Sequence, residues 1–464
     1  MPAALERPLM TADLAILNGT VVTPTGRTPD AGVAVEDGRI AAVGRTDRLP
    51  DAERTFDADG DLVVPGLVDP HVHNRTPGLE HKGDWTSETR AAAAGGVTSV
   101  VAMPNVEPVV DDPERLERKL RLGDEGALVD FGVHAAVTGD GYDRVPALAE
   151  AGTVGLKVFL GTTVGEVPPP DDGQLLDAMR DAADAGVRVG FHEEDAAVVD
   201  HETAKARRAG RSRPLDHARA RPVVAEREAI ARIGLFAAET DCPVHAFHVS
   251  AGSAVDELVR ARERGVDFTA EATPHHLRFT EATLRERGNV ARVNPPLRPR
   301  EERDRLRAAL AAGTVGCVGS DHAPHTDAEK GLDDPQGDTW ASTSGFVGLE
   351  TAAPTLLTLV AKGPLTLEAW VDRQARAPAR TWGLYPEKGS LQVGTHADVT
   401  VVDPDREWTL SRDRLHSKNT GTPFDGERFV GRPTATVVRG DVVYREGDGV
   451  VGTPGHGRRL VPDR

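Results

Sequence analysis

Short apolar stretches separated by turn residues open the chain. Residues 14–17, 33–35 and 40–43 are apolar or alternating. Asn18-Gly19 and Asp37-Gly38 between them are strong turn signals, so the first sixty residues predict strands of a sheet. From Leu62 the pattern becomes a repeated apolar run followed by a helical stretch, which implies a parallel sheet wrapped by helices. Eight apolar runs can be counted, at 62–69, 97–103, 128–137, 154–160, 187–191, 244–249, 266–270 and 314–319. Helical periodicity at 86–94, 174–185, 225–239, 254–264 and 301–312 separates many of them. Eight such units over about 250 residues are the size of a (β/α)8 barrel. Short strands return at 397–402, 434–438 and 442–444, and one small sandwich built from both chain ends would account for them.

The expected fold is therefore α/β: a TIM-like (β/α)8 barrel over residues 65–390 with a composite β-sandwich. Residues 1–64 and 391–450 would form that sandwich. The tail, 451–464, is rich in Gly, Pro and Arg and is expected to be poorly ordered. The chain has 464 residues, more than one core usually organises. A net charge of −18 argues against nucleic acid or an anionic membrane surface as the main partner. Two cysteines, Cys242 and Cys317, cannot build a disulfide framework and fit a reducing compartment. The N-terminus shows no basic segment leading into a long apolar run, and no stretch approaches the ~20 apolar residues of a membrane helix. A cytoplasmic location is expected.

In a (β/α)8 barrel the reactive groups lie at the C-terminal ends of the strands. Here the first run ends in Asp69-Pro70-His71-Val72-His73, the fourth contains Lys157, the fifth leads to His192, the sixth to His248 and the eighth to Asp321-His322. Residues i and i+2 of a strand share a face, so His71 and His73 can reach one cation. A lone His-x-His is as often a solvated pair, but further histidines and an aspartate at the same barrel mouth favour ligation. Imidazole and carboxylate suit zinc and related divalent metals. Lys157 lies in the apolar run Gly155-Leu156-Lys157-Val158-Phe159-Leu160, where a buried ammonium is costly. It either snorkels to the strand end or carries a lowered pKa and reacts with carbon dioxide, giving a carbamate able to bridge two metals. His245, His275, His276 and His322 read as orienting or packing residues. His201, His217 and His416 read as solvated, the basic stretch 205–221 as a solvated loop, and Cys317 as core.

These motifs together resemble the cyclic amidohydrolases of the amidohydrolase superfamily, most closely the dihydroorotase family, over nearly the whole chain. The carriers are Pro65-Gly66-Leu67-Val68-Asp69-Pro70-His71-Val72-His73, Met103-Pro104-Asn105, Asn294-Pro295-Pro296-Leu297-Arg298 and Gly319-Ser320-Asp321-His322-Ala323-Pro324-His325-Thr326. The resemblance implies two divalent metal ions, Zn2+ by preference. His71, His73 and Asp321 would hold one ion and His192 and His248 the other, with carboxylated Lys157 bridging. Arg75, Asn105, Asn294 and His325 would bind substrate, chiefly its carboxylate, and Thr163 would close over it from a loop. Asp321 would accept a proton from the attacking water and deliver it to the leaving nitrogen. The small-molecule substrate would be a cyclic amide carrying a carboxylate. The reaction would be the reversible hydrolysis of dihydroorotate to N-carbamoyl-aspartate in pyrimidine synthesis, by a homo-oligomer, dimer or tetramer. Asn74 and Thr76 depart from the family's usual Leu and Glu around Arg75, and Gly83, Glu88 and Val347 also depart. The alternatives are therefore a hydantoinase, an allantoinase or another cyclic amide or imide hydrolase, or a non-catalytic paralogue supporting a transcarbamoylase.

Overall fold

A computed structural model describes residues 11–161 and 167–464. Two sheets organise them. The first has eight parallel strands in sequential order: Leu67–Val72, Val97–Ala102, Asp130–Ala136, Gly155–Phe159, Val189–His192, Val244–Ala246, Phe268–Ala272 and Cys317–Val318. These strands are buried nearly throughout, which explains why they read as continuous apolar runs rather than alternating ones. The first and last strands approach beyond their ends. Val72 bridges His322 in parallel, the His73 N–H donates to the His322 carbonyl at 2.7 Å, and the Ser320 N–H donates to Asp69 Oδ1 at 3.0 Å. A (β/α)8 barrel results, with helices such as Trp85–Ala94, Pro113–Gly126, Asp172–Asp184, Val223–Thr240 and Arg300–Ala312 around it.

The second sheet has nine strands drawn from both chain ends. Ala12–Thr23, Gly26–Glu36, Arg39–Arg45, Ala52–Asp57 and Leu62–Pro65 supply one half, and Val399–Thr409, Arg428–Val438, Asp441–Arg445 and Gly449–Val450 the other. Leu62–Pro65 pairs antiparallel with Val399–Thr409 and joins the halves, which share one core of residues including Ile16, Val33, Val63, Val399 and Val437.

Four expectations are corrected. The run 62–69 is two strands, because the chain pivots at Gly66 from the small sheet into the barrel. A Cβ there would sit 2.3 Å from Thr98 Oγ1 and 2.8 Å from Asp398 Cβ. The eighth barrel strand is only Cys317–Val318, since the Val315 N–H turns back to Ala309 at 3.2 Å instead of joining the ladder. The basic stretch 205–221 is no solvated loop. It includes the end of helix Ala196–Arg208 and all of helix Pro214–Arg219, which starts with proline at its first position, and His217 is buried. The tail, finally, packs under the barrel: the Phe131 N–H donates to the Arg458 carbonyl at 2.9 Å and the Leu460 N–H to the Phe131 carbonyl at 2.7 Å. Composition signalled disorder, but the lower edge of the third barrel strand offers unpaired backbone groups that the tail satisfies.

A buried ionic cluster pins the small sheet to that same lower end. Lys388 Nζ contacts Asp398 at 2.7 Å and also Asp130, to which Arg439 is paired as well. The Arg458 N–H reaches Asp130 at 2.8 Å. Lys388→Met leaves a carboxylate oxygen of both Asp130 and Asp398 without its cation. Removing one partner of a buried ion pair costs about 3–5 kcal/mol, so we expect the urea midpoint to fall accordingly. A loss below about 1 kcal/mol would show that the cluster does not hold the two parts together.

Candidate active site

The barrel mouth gathers side chains from most strands. His71 lies in the first strand and His73 just beyond it, Lys157 in the fourth, and His192 ends the fifth. His248 and Asp321 follow the sixth and eighth strands, both in left-handed backbone, at φ +37° and +48°. One cavity is lined by these six residues together with Arg75, Asn105, Asn294, Phe159, Ser344 and Gly345. The structure thus brings together nearly every residue singled out from the sequence. Thr163 lies outside the described residues.

Two clusters occupy the floor. In the first, His71 Nε2 and His73 Nε2 lie 3.3 and 3.2 Å from Asp321 Oδ1, and the ligating atoms of the three residues are all within 4.8 Å of one another. The far nitrogens are fixed: His71 Nδ1 sits 2.6 Å from Glu271 Oε1 and His73 Nδ1 2.7 Å from Asn105 Oδ1. Such partners orient an imidazole and set its tautomer, leaving Nε2 to the ligand. Burial lowers the His73 pKa to about 4 and holds His71 well below the usual imidazole value, which favours neutral rings with a lone pair available.

In the second cluster, His192 Nδ1 faces His248 Nε2 at 3.1 Å. His192 Nε2 lies 2.8 Å from Glu194 Oε2, and Arg221 grips that carboxylate with Nη2 at 2.6 Å. Burial pushes Glu194 upward, but Arg221 and His192 overcome it and hold the carboxyl well below its usual range. Lys157 Nζ is buried without a hydrogen-bond partner among the described residues, 3.9 Å from the Phe247 ring centroid. Burial lowers its pKa to about 8, partly offset by Glu193, Glu271 and Asp321. Convergent imidazoles with a carboxylate beside them are donors that fit a divalent metal ion.

The upper wall carries Arg75, buried and in left-handed backbone at φ +66°. Its Nε donates to the Pro324 carbonyl at 3.2 Å and its Nη2 lies 3.1 Å from His325 Nε2, while Nη1 is buried without a partner among the described residues. Burial lowers its pKa to about 10, still far above neutral. His325 sits behind Arg75, its Nε2 also 3.0 Å from the Ser344 carbonyl. Asn294 Oδ1 accepts from Ser344 Oγ at 3.1 Å.

Sequence reasoning missed the supporting acids and cations. Glu271, Glu193, Glu194 and Arg221 are fully or almost fully buried around the histidines, and Lys119 donates from behind to Asn74 Oδ1 and the Thr76 carbonyl at 2.8 and 2.6 Å. The signal for Glu194 was its place two residues after His192; Lys119 left none. His322 pairs with Glu88 at 2.6 Å, His276 lies 3.0 Å from the Pro295 carbonyl, His245 meets Thr269 at 2.8 Å and His275 packs on Phe346. His416, expected to be solvated, is half-buried and held by Glu350 at 2.9 Å. Cys242 and Cys317 are both buried and free.

Residues 62–443 match the amidohydrolase family. The chain belongs to that family. An allantoinase of Deinococcus radiodurans is 38% identical over 461 residues, covering 98% of this chain and 99% of the relative. A dihydroorotase of Pelobacter propionicus is 36% identical over 442 residues, covering 93% and 100%. Among solved structures, the L-hydantoinase (dihydropyrimidinase) from Arthrobacter aurescens superposes with a TM-score of 0.93 at 31% identity, covering 97% and 100%. The chain is a hydrolase of cyclic amides. Among the described residues, no helix is long and apolar enough to cross a membrane.

Proposed function

We propose that this amidohydrolase opens a six-membered cyclic amide bearing a carboxylate, dihydroorotate, to N-carbamoyl-aspartate. The observation that carries the reading is the buried Arg75 guanidinium, whose Nη1 lacks a partner among the described residues where the side chain lines the cavity with the histidines. A buried cation with an unmet donor is suited to a carboxylate, and a planar guanidinium fixes its orientation.

His71, His73 and Asp321 would hold one divalent ion, His192 and His248 a second, and Lys157, as a carbamate, would supply an oxygen ligand to both. When bound, such ions acidify water and polarise a carbonyl. The protein's own groups perform the rest. Arg75 fixes the ring by its carboxylate, and the neighbouring Asn294 borders the ring's edge. Water adds to the amide carbonyl carbon, Asp321 takes its proton and passes it to the ring nitrogen, and the C–N bond breaks.

Burial lowers the Lys157 pKa to about 8, which raises the share of free amine, the form that carboxylates. Metal-free protein is therefore expected to take up two equivalents of Zn2+ readily only when bicarbonate is present, and Lys157→Met to retain no more than one under the same dialysis. Full loading without carbon dioxide, or two ions held by Lys157→Met, would remove the carbamate from the site.

A second reading is hydrolysis of an uncarboxylated hydantoin such as allantoin. It is supported by the 38% identity to a named allantoinase. Assaying the purified protein on dihydroorotate, allantoin and hydantoin side by side separates the readings. Turnover is expected on dihydroorotate foremost; preference for either hydantoin would overturn the proposal.

A further inference from the structure

The two histidine clusters are held by different partners, His73 by Asn105 and His192 by Glu194, but one carboxylate touches both clusters. Glu271 is fully buried in the seventh barrel strand, Phe268–Ala272. Its Oε1 lies 2.6 Å from His71 Nδ1 and accepts the backbone N–H of His248 at 3.2 Å. Its main-chain carbonyl accepts the Val249 N–H at 2.9 Å. His248 adopts φ +37°, a backbone region that side-chain-bearing residues avoid unless the surroundings impose it. The grip on both sides of the His248 peptide supplies that imposition. Glu194, by contrast, touches His192 and Arg221.

We propose that Glu271 is a positioning residue that couples the two metal half-sites, orienting the His71 ring on one side and pinning the His248 backbone on the other. The inference rests on the assignment of His71 and His248 as ligands. Room for this carboxylate is built in: a Cβ at position 319 would lie 2.6 Å from Glu271 Oε2, so Gly319 leaves the space the carboxylate occupies. Rotation of Glu271 away from Oε1's two donors would release both histidines together.

The test is metal affinity rather than turnover. Wild type, Glu271→Gln and Glu194→Gln, each confirmed folded by circular dichroism, are freed of metal and titrated with Zn2+ in bicarbonate buffer against a chelator of known affinity. Bound metal is counted by mass spectrometry. Removing a hydrogen-bonding partner of a ligand commonly costs about 10–100-fold in affinity. Glu271→Gln is expected to weaken both ions by that factor, whereas Glu194→Gln weakens one. Glu271→Asp keeps the charge but withdraws the oxygen, and serves as the probe should Glu271→Gln fail to fold; it too is expected to weaken both. Loss confined to one ion, or unchanged affinity for both, overturns the coupling. A wild type that binds no zinc would instead remove the ligand assignment beneath it.

Discussion

Asp321→Asn should abolish turnover while leaving the fold intact. The carboxylate oxygen sits at the meeting point of His71 Nε2 and His73 Nε2, so it is placed to hold an ion and to exchange a proton beside it. An amide in the same volume offers one neutral oxygen and cannot act as a base near neutral pH. Loss of a general base commonly costs about 10²–10⁴-fold in rate, and weaker metal retention adds to that. The backbone should tolerate the change, since Asn adopts left-handed φ as readily as Asp and residue 321 lies at φ +48°. The comparison to make is kcat per bound ion, after metal content has been brought to the wild-type value. A fully loaded variant within about threefold of wild type would mean that another group moves the proton.

Arg75 should carry the discrimination between rings. Arg75→Lys retains the charge but cannot keep contacts with the Pro324 carbonyl and His325 while presenting a further donor to the cavity. Arg75→Ala should lower kcat/KM for dihydroorotate by about 10²-fold or more, because a hydrogen bond to a charged group is worth about 1.5–3 kcal/mol and orientation is lost with it. On hydantoin or dihydrouracil, which lack the carboxylate, the same substitution should cost far less. Equal losses on carboxylated and uncarboxylated rings would show that Arg75 maintains the wall rather than reading the substrate, and would favour the allantoin reading.

The barrel and the residues at its mouth were legible because both follow from periodicity. Fully buried parallel strands leave apolar runs, and histidines at i and i+2 stand out at the end of such a run. What the sequence concealed are features that arise from contacts between distant segments. The pivot at Gly66 depends on Thr98 and Asp398, and the ordering of the tail on the open edge near Phe131. Glu271 and Lys119 looked like ordinary strand and helix residues, since nothing local marks a carboxylate that will meet His71 or an ammonium that will meet Asn74. His217 was misjudged for the same reason: its basic neighbours suggested solvent, yet a short helix turns it inward.

The left-handed backbone at Arg75, His248 and Asp321 also bears on how such a scaffold diversifies. A β-branched residue at any of these positions would be strained before its chemistry was tried, so accessible variation there is narrow. Asn294 and Ser344 line the same cavity from connecting segments without positive φ, so exchange there meets no such strain. Selection for a new ring therefore meets least backbone resistance at Asn294 and Ser344, while Arg75, proposed to read the substrate, has few alternatives. Lineages of comparable divergence can then acquire different substrates with little change in architecture, as the allantoinase, dihydroorotase and hydantoinase names among this chain's relatives illustrate.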